Sequence, residues 1–186
     1  MLGVNKDAIR EENDFYATNP EALELLLREH VFEIDENVWE CACGQGHLSE
    51  KLKEWKFNVK SSDLIDRGYG EVLDFLKFNG EWGGDILTNP PFKLAEEFIE
   101  KGMSILKEGK KLILFLKVQF LESELRYHLF KKYPLKYLYV HSSRQQCCKD
   151  AEFDKYTATT QFYCWFVFEK GFKGDTIIKW IKPDLE

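Results

Sequence analysis

The residues best suited to chemistry are Asn89-Pro90-Pro91-Phe92, which follow an apolar, β-prone run beginning at Asp85. A residue before proline is pushed out of the helical region, so Asn89 is predicted to leave the strand in an extended conformation. The prolines have a fixed φ and no N–H, so the turn is stiff and offers carbonyl acceptors without competing donors. An amide acceptor, a carbonyl and an aromatic ring together suit a flat ligand that carries an amino group. The alternative is an ordinary proline-rich turn with Phe92 in the core.

A glycine turn lies further upstream. Val38 to Ala42 predicts a short buried strand, and Cys43-Gly44-Gln45-Gly46-His47 turns from it into a helix, as in a Rossmann-type crevice. Position 49 is Ser, so the third glycine of the dinucleotide fingerprint is absent, which weakens the case for NAD. Asp63 closes the next predicted strand, Phe57 to Ser62, and its carboxylate could accept both hydroxyls of a ribose. The alternative for Asp63 is a helix cap.

Length and composition predict one domain over residues 1–186, with 44% hydrophobic and 31% charged residues. No apolar run reaches the ~18–20 residues of a membrane span. Met1 to Asp14 has no apolar signal-peptide core, so we expect a cytoplasmic protein without a membrane partner. The five cysteines have no CxxC spacing and are expected to be reduced thiols. Cys147 and Cys148 are adjacent, which suits tetrahedral zinc poorly, so no metal site is predicted.

Charge is distributed unevenly along the chain. The net charge of −6 argues against a protein that coats nucleic acid. Between Arg126 and Lys149, however, there are six Lys or Arg and no acid, against 20 basic and 32 acidic residues elsewhere. This segment predicts either a local footprint for a phosphate backbone or an ordinary solvated surface. The loop from Ser142 to Thr157 is long for a passive connection and is a candidate substrate loop.

The remaining pattern alternates strands and helices, which predicts a mostly parallel sheet with helices on both faces. Asn19 is a predicted N-cap and Pro20 the first residue of a helix. The residues from Ile177 to Ile181 are expected to pack back on the domain. The other predicted elements are strands at Trp82–Thr88, Lys111–Val118, Leu135–His141 and Thr159–Glu169, and helices at Leu48–Trp55, Lys93–Leu106 and Leu121–Lys132.

The Asn-Pro-Pro-Phe tetrapeptide resembles the catalytic motif of amino-group methyltransferases that use S-adenosylmethionine. Within that family the chain is most similar to small phage-type N6-adenine DNA methyltransferases. From Phe15 to about Trp180, the resemblance implies the Rossmann-like class I methyltransferase fold, an α/β fold with a mostly parallel seven-stranded sheet and helices on both faces. It implies catalytic roles for Asn89, Pro90, Pro91 and Phe92. It implies S-adenosylmethionine bound by Tyr16, Thr18, Glu40, Ala42, Gly44, Gly46, Asp63, Leu64, Asp74, Phe75 and Asn89.

Individual roles follow from the resemblance. The segment containing Tyr16 and Thr18 would touch the methionine end of the cofactor, and Glu40 would lie near its ammonium group. Asp74 and Phe75 would flank the adenine, although an exposed Asp74 and a core Phe75 are the alternative. The implied partner is nucleic acid, DNA in preference to RNA. Methylation of RNA or of a protein glutamine, and a catalytically silent cofactor-binding protein, are the other hypotheses. The sequence predicts no oligomeric state.

Overall fold

A computed structural model describes residues 16–29, 34–143, 145, 147–149 and 161–182. Its main feature is an eight-stranded sheet. A separate pair of strands, β1 (Tyr16–Thr18) and β8 (Cys147–Lys149), runs antiparallel. The strands of the main sheet are β2 (Asn37–Glu40), β3 (Asn58–Asp63), β4 (Glu71–Val72), β5 (Asp85–Thr88), β6 (Lys111–Lys117), β7 (Leu135–His141), β9 (Tyr163–Glu169) and β10 (Ile177–Ile181).

The strand order in the main sheet is β10-β7-β9-β6-β5-β2-β3-β4. Every neighbouring pair is parallel except the two that involve β9, which runs antiparallel to both β6 and β7. The order reverses at β2, with β3 on one side and β5 on the other. In open sheets of this kind ligands bind outside the carboxyl ends of the strands at such a reversal.

Helices cover both faces of the sheet. One face carries α1 (Pro20–Glu29) and α2 (His47–Glu54), and the other carries α3 (Ala95–Ile105) and α4 (Tyr127–Lys132). Side chains alternate along β6, so Leu112 and Leu114 pack with α3 and α4 while Ile113 packs with α1 and α2. Burial of one such side chain contributes roughly 1.5–3 kcal/mol, which explains why a near-continuous apolar sequence forms this central strand.

The predicted start of α1 is confirmed. The Glu21 amide donates to Asn19 Oδ1 at 3.0 Å, and Pro20 is the first helical residue. This cap satisfies one of the N–H groups that a helix start leaves without a partner. The cap therefore fixes where the chain turns from β1, at the rim of the sheet, into the helix.

Two element predictions were wrong. The mostly parallel sheet is confirmed, but it has eight strands and not seven, because Ile177–Ile181 adds β10 beside β7. The predicted helix from Leu121 to Lys132 begins only at Tyr127. Leu125 is 86% exposed, so a helix at that point would have no apolar face to bury. Instead, the Arg126 guanidinium binds the Phe120 and Glu122 carbonyls and stabilises a non-helical turn.

Besides β10, three shorter strands were missed. β1, β4 and β8 are three, two and three residues long, which is too short for an alternating pattern. β8 lies inside the predicted substrate loop and joins it to β1. The other residues from 144 to 157, apart from Gln145, lie outside the described part of the chain.

Candidate functional site

The carboxyl ends of β2, β3 and β5 meet at one edge of the sheet and line a cavity there. Because these strands are parallel neighbours, residues that end each strand lie close together. The lining includes nine residues that sequence analysis selected: Thr18, Glu40, Ala42, Asp63, Leu64, Asn89, Pro90, Pro91 and Phe92. The structure thus places the Asn89–Phe92 turn beside the residues that precede the glycine turn, Glu40 and Ala42, more than forty positions earlier in the sequence.

The glycine turn connects β2 to α2 behind the cavity wall. Gly44 and Gly46 have φ of 54° and 85°, in the left-handed region that favours glycine. A Cβ on Gly46 would approach the ring of Tyr69 to 2.5 Å. The Tyr69 hydroxyl is itself held by Glu50 and Lys53 on α2, so the ring cannot move aside freely. Both the dihedral angle and the close approach therefore require glycine at position 46.

Asp63 joins two loops at the end of β3. Its Oδ2 accepts from the Gly44 amide at 2.8 Å, and its Oδ1 accepts from the Ile65 amide at 3.0 Å. The carboxylate is therefore fixed against both the glycine turn and the loop that follows β3. A carboxylate has about four acceptor positions, so two such bonds leave it able to accept hydroxyl hydrogens from a ligand in the cavity.

Glu40 ends β2 and is only 2% exposed, yet it lines the cavity. Ser49 donates its hydroxyl to Glu40 Oε2, and the Ser49 and Ser61 hydroxyls are 2.6 Å apart. Burial, with a smaller contribution from the Asp63 carboxylate, raises the pKa of Glu40 to about 8. Burial raises the pKa of a carboxyl group because the charged form is poorly solvated. A cation bound in the cavity would therefore favour the ionised form of Glu40.

Asn89 lies directly after β5 and is fixed by a neighbour from β1. Its Nδ2 donates to Thr18 Oγ1 at 2.8 Å. Because Nδ2 makes this bond, the acceptor that the Asn89 amide can offer to an amino group is Oδ1. The Pro91 carbonyl accepts from the Leu94 amide at 2.8 Å and so continues into the turn before α3. Among the described residues, no donor is hydrogen-bonded to the Pro90 carbonyl.

Phe92 lies where the cavity meets the ends of β6 and β9. Its ring centroid is 5.8 Å from that of Tyr163, and Lys117 Nζ stands over the ring at 4.8 Å from the centroid. Tyr163 in turn stacks on Phe115 at 5.1 Å. Phe92 is half-buried and packs against the hydrophobic clusters on both faces of the sheet, and these contacts hold its ring in place.

Comparison with solved structures identifies the architecture. A modification subunit of a candidate type I restriction enzyme from Vibrio vulnificus superposes with a TM-score of 0.63 at 16% identity. The match covers 97% of this chain and 49% of that one. A candidate RNA methyltransferase from Pyrococcus horikoshii gives 0.60 at 16% identity, with 83% and 86% covered. A candidate class I S-adenosylmethionine-dependent methyltransferase from Listeria monocytogenes gives 0.57 at 14% identity, with 86% and 62% covered.

The fold is that of class I methyltransferases. The chain spans about half of the Vibrio subunit and under two thirds of the Listeria protein, so their whole-protein activities do not transfer directly. No protein-family model matches the chain, and no curated protein matches it. The predicted Rossmann-like fold is thus confirmed by structural similarity. Because the sequence identities are only 14–16%, the function has to be argued from the residues of the site.

Apart from Tyr16, whose side chain lies outside the described part of the chain, four of the predicted site residues do not line the cavity. Phe75 is 3% exposed and packs in the core against Trp39 and Phe98, at 5.3 and 4.9 Å between ring centroids. Asp74 caps the turn that follows by accepting from the Leu76 amide. Phe75 is therefore a core residue, as in the alternative for that position, and Asp74 is a partly buried cap and not an exposed side chain. Gly44 and Gly46 form the turn behind the wall.

Other residues line the cavity without having been selected, among them His47, Ile65, Arg67 and Leu94. His47 directly follows the glycine turn, and burial lowers its pKa. Ile65 and Arg67 follow Asp63 on the same loop. Their closeness in sequence to Gly46 and Asp63 was the only available signal. Tyr16 lies in β1, two residues before Thr18.

The described residues contain no group of three or more His, Cys, Asp or Glu placed to hold a metal ion. None of the helices in that part of the chain has the length and apolar composition that crossing a bilayer requires.

Proposed function

We propose that this chain transfers a methyl group from S-adenosylmethionine to the N6 amino group of adenine in DNA. The observation that carries the proposal is the position of Asn89-Pro90-Pro91-Phe92. These residues leave β5 and line the same cavity as the acids that end β2 and β3. Amino-group acceptors and candidate cofactor ligands therefore border one shared space.

The residues of the cavity fit the cofactor. Buried Glu40, with its raised pKa, suits a bound ammonium group, and Asp63 can accept ribose hydroxyls beside the glycine turn. Thr18, Ala42 and Leu64 supply further wall, and Gly44 and Gly46 let the backbone approach closely. Tyr16 is retained as a proposed contact through its place in β1. When bound, S-adenosylmethionine supplies an electrophilic methyl group on a positively charged sulfur.

Asn89 and Pro90 would prepare the amino nitrogen. The lone pair of an adenine amino group is delocalised into the ring, so the nitrogen is a poor nucleophile. Asn89 Oδ1 and the Pro90 carbonyl can accept its two hydrogens, which favours a pyramidal nitrogen with a localised lone pair. Positive charge then develops on nitrogen next to acceptors that are already fixed, one by Thr18 and the other by the proline turn. Holding the nitrogen in line for transfer contributes further.

Phe92 would hold the target base. Stacking of a base on an aromatic side chain is worth roughly 1–3 kcal/mol. In a duplex the adenine must first leave the helix to reach a cavity at the sheet edge. The likeness to the Vibrio modification subunit supports DNA as the polymer, and the likeness to the Pyrococcus protein makes RNA the second candidate.

The raised pKa of Glu40 predicts that Glu40→Gln makes the fold more stable while it weakens cofactor binding. Between about pH 4.5 and pH 8 the folded protein keeps a proton that the unfolded chain has released. The free energy of unfolding contributed by Glu40 therefore falls as pH rises through this window. We expect Glu40→Gln to gain thermal stability relative to wild type from pH 5 to pH 8, and to bind S-adenosylmethionine more weakly at pH 8. If the difference in melting temperature between Glu40→Gln and wild type stays constant from pH 5 to pH 8, then Glu40 does not hold a proton in the folded protein over this range.

The proposed substrate is tested by offering the purified chain several polymers with methyl-labelled cofactor. DNA, RNA and a mixture of unmodified proteins are incubated separately, and the labelled product is digested and separated. We expect label in DNA, in a nucleoside that elutes as N6-methyldeoxyadenosine. Label in protein glutamine, or in RNA alone, would replace the DNA proposal. The Asn89→Ala variant is the matched control for label that arises without this site.

A further inference from the structure

β6 carries lysines at both of its ends, and they differ in their partners. At the amino end, Lys111 lies 3.9 Å from buried Asp85, and the preceding Lys110 pairs with Asp35. At the carboxyl end, Lys117 has no acidic partner among the described residues. Its ammonium stands over the ring of Phe92 instead, 4.8 Å from the centroid. Within the described part of the chain, the carboxyl end of β6 therefore carries a positive charge next to Phe92 that no carboxylate compensates.

The position of Lys117 is fixed by the sheet. It is the last residue of β6 and pairs in register with Tyr163, the first residue of β9. The Tyr163 ring also contacts Phe92, so the three side chains form one group beside the Asn-Pro-Pro-Phe turn. The half-buried stem of Lys117 lies along the protein while its ammonium reaches the rim.

Three lysines of the basic segment at residues 126–149 have other partners or positions, so they do not contact Phe92 in this way. Lys132 pairs with Glu100 at 2.8 Å, and Lys136 pairs with Glu169 at 2.6 Å. Both lysines lie beside the start of β7, at the edge of the sheet opposite the cavity. Lys131 stands over the ring of Tyr127. The side chains of Arg144 and Lys149 lie outside the described part of the chain.

A stacked base would change the surroundings of Lys117. A base stacked on this face of Phe92 would occupy the position that the Lys117 ammonium has in the structure. A lysine side chain has a flexible four-carbon stem, so the ammonium can move aside, and it then requires a new negative partner. The phosphodiester that joins the target nucleotide to its neighbour is one sugar away from the base and carries that charge. A glutamine side chain in a protein brings no such group.

We propose that Lys117 binds the phosphodiester adjoining the target nucleotide and so makes the site select nucleic acid over amide substrates. This inference rests on the proposed function, because it assumes that the acceptor amino group belongs to a nucleotide. It deepens that function by assigning a specificity-determining residue. Lys117 is distinct from the acceptors at Asn89 and Pro90, which act on the amino group itself.

The test is a thermodynamic cycle between Lys117 and single phosphates. Oligonucleotides of the type that wild type methylates are made with one neutral methylphosphonate linkage, either 5′ or 3′ of the target. In wild type, one of these linkages is expected to lower kcat/KM about tenfold, as for loss of a charge-assisted hydrogen bond. Lys117→Gln is expected to lose about tenfold on the unmodified strand and nothing further on the neutral one. Lys117→Arg should keep the sensitivity of wild type.

Two controls separate the possible causes. Lys173→Gln removes the same charge from an exposed position between β9 and β10, at the opposite edge of the sheet, and should respond to each linkage as wild type does. S-adenosylmethionine affinity, measured for every variant, reports whether the site is intact. Oligonucleotide affinity against salt gives a readout without turnover, and its slope should fall by about one unit in Lys117→Gln alone.

The outcomes distinguish the inference from the function on which it rests. If Lys117→Gln remains as sensitive to both neutral linkages as wild type, Lys117 does not bind those phosphates, although nucleic-acid methylation stands. If wild type methylates only protein or free amides, the proposed substrate and the role of Lys117 fall together. Non-additive loss at one linkage, confined to position 117, is the result that the inference predicts.

Discussion

Replacing Asn89 with Ala is expected to lower the single-turnover rate of methyl transfer on the order of 10²–10³-fold, by analogy with loss of an oxyanion-hole donor. Asn89 Oδ1 would accept from the amino group most strongly when the nitrogen becomes cationic. An interaction that is stronger in the transition state than in the ground state appears in kcat more than in KM. S-adenosylmethionine affinity should fall far less, because Glu40 and Asp63 remain.

Two matched variants make this prediction specific. Asn89→Asp keeps an acceptor at the same position and should retain more activity than Asn89→Ala. Phe92→Ala should raise the KM for nucleic acid as well as lower the rate, and Phe92→Trp should retain part of both, because any broad aromatic face can stack. Near-normal turnover in Asn89→Ala would return the turn to a purely structural role.

The second large effect is expected at Asp63. Asp63→Ala removes the carboxylate that is proposed to accept two ribose hydroxyls, and hydrogen bonds to a charged group are worth roughly 1.5–3 kcal/mol each. We expect S-adenosylmethionine affinity to fall on the order of 10²-fold or more, and the ligand-induced rise in melting temperature to be largely lost. The same ligand should raise the melting temperature of wild type, and NAD should not.

Asp66 provides the matched control for Asp63. Its Oδ1 accepts from the Gly68 amide at 2.9 Å, just as Asp63 Oδ1 accepts from the Ile65 amide two residues on. Asp66 is exposed, however, and does not line the cavity. Asp66→Ala should therefore leave cofactor affinity unchanged. Equal losses in the two variants would mean that Asp63 acts by shaping its loop and not by contacting the cofactor.

The part of the fold that positions the site could be predicted from local pattern. Continuous apolar runs mark the buried strands β5 and β6, and the prolines and glycines mark where the chain leaves them. Parallel pairing then requires the residues after β2, β3 and β5 to meet. What could not be predicted depends on tertiary contacts. β10 pairs with β7 at the edge of the sheet, and its residues Ile177, Ile178 and Trp180 are about half exposed or more, so they form no buried apolar run.

The candidate site, like the fold, could be predicted from the sequence only in part. A short motif such as Asn89 to Phe92 fixes its own geometry, so its placement follows once β5 is placed. Asp74-Phe75 has no such constraint, and the Phe75 ring is drawn into the core by Trp39 and Phe98. Lys117 carries no signal in sequence at all. Its proposed role rests on the register of β6 with β9 and on the position of its ammonium over the Phe92 ring.

The central claim is that the carbon transferred at this cavity becomes bonded to the exocyclic nitrogen of an adenine. The direct test uses S-adenosylmethionine labelled with carbon-13 in the methyl group and a DNA oligonucleotide whose adenines carry nitrogen-15 at N6. After incubation with wild type, the product is examined by NMR for coupling through a bond between the two labels. We predict a methyl carbon coupled to the labelled nitrogen, absent with Asn89→Ala on the same time scale. A labelled methyl group in the DNA without that coupling, or no methyl group in any nucleic acid, would contradict the account.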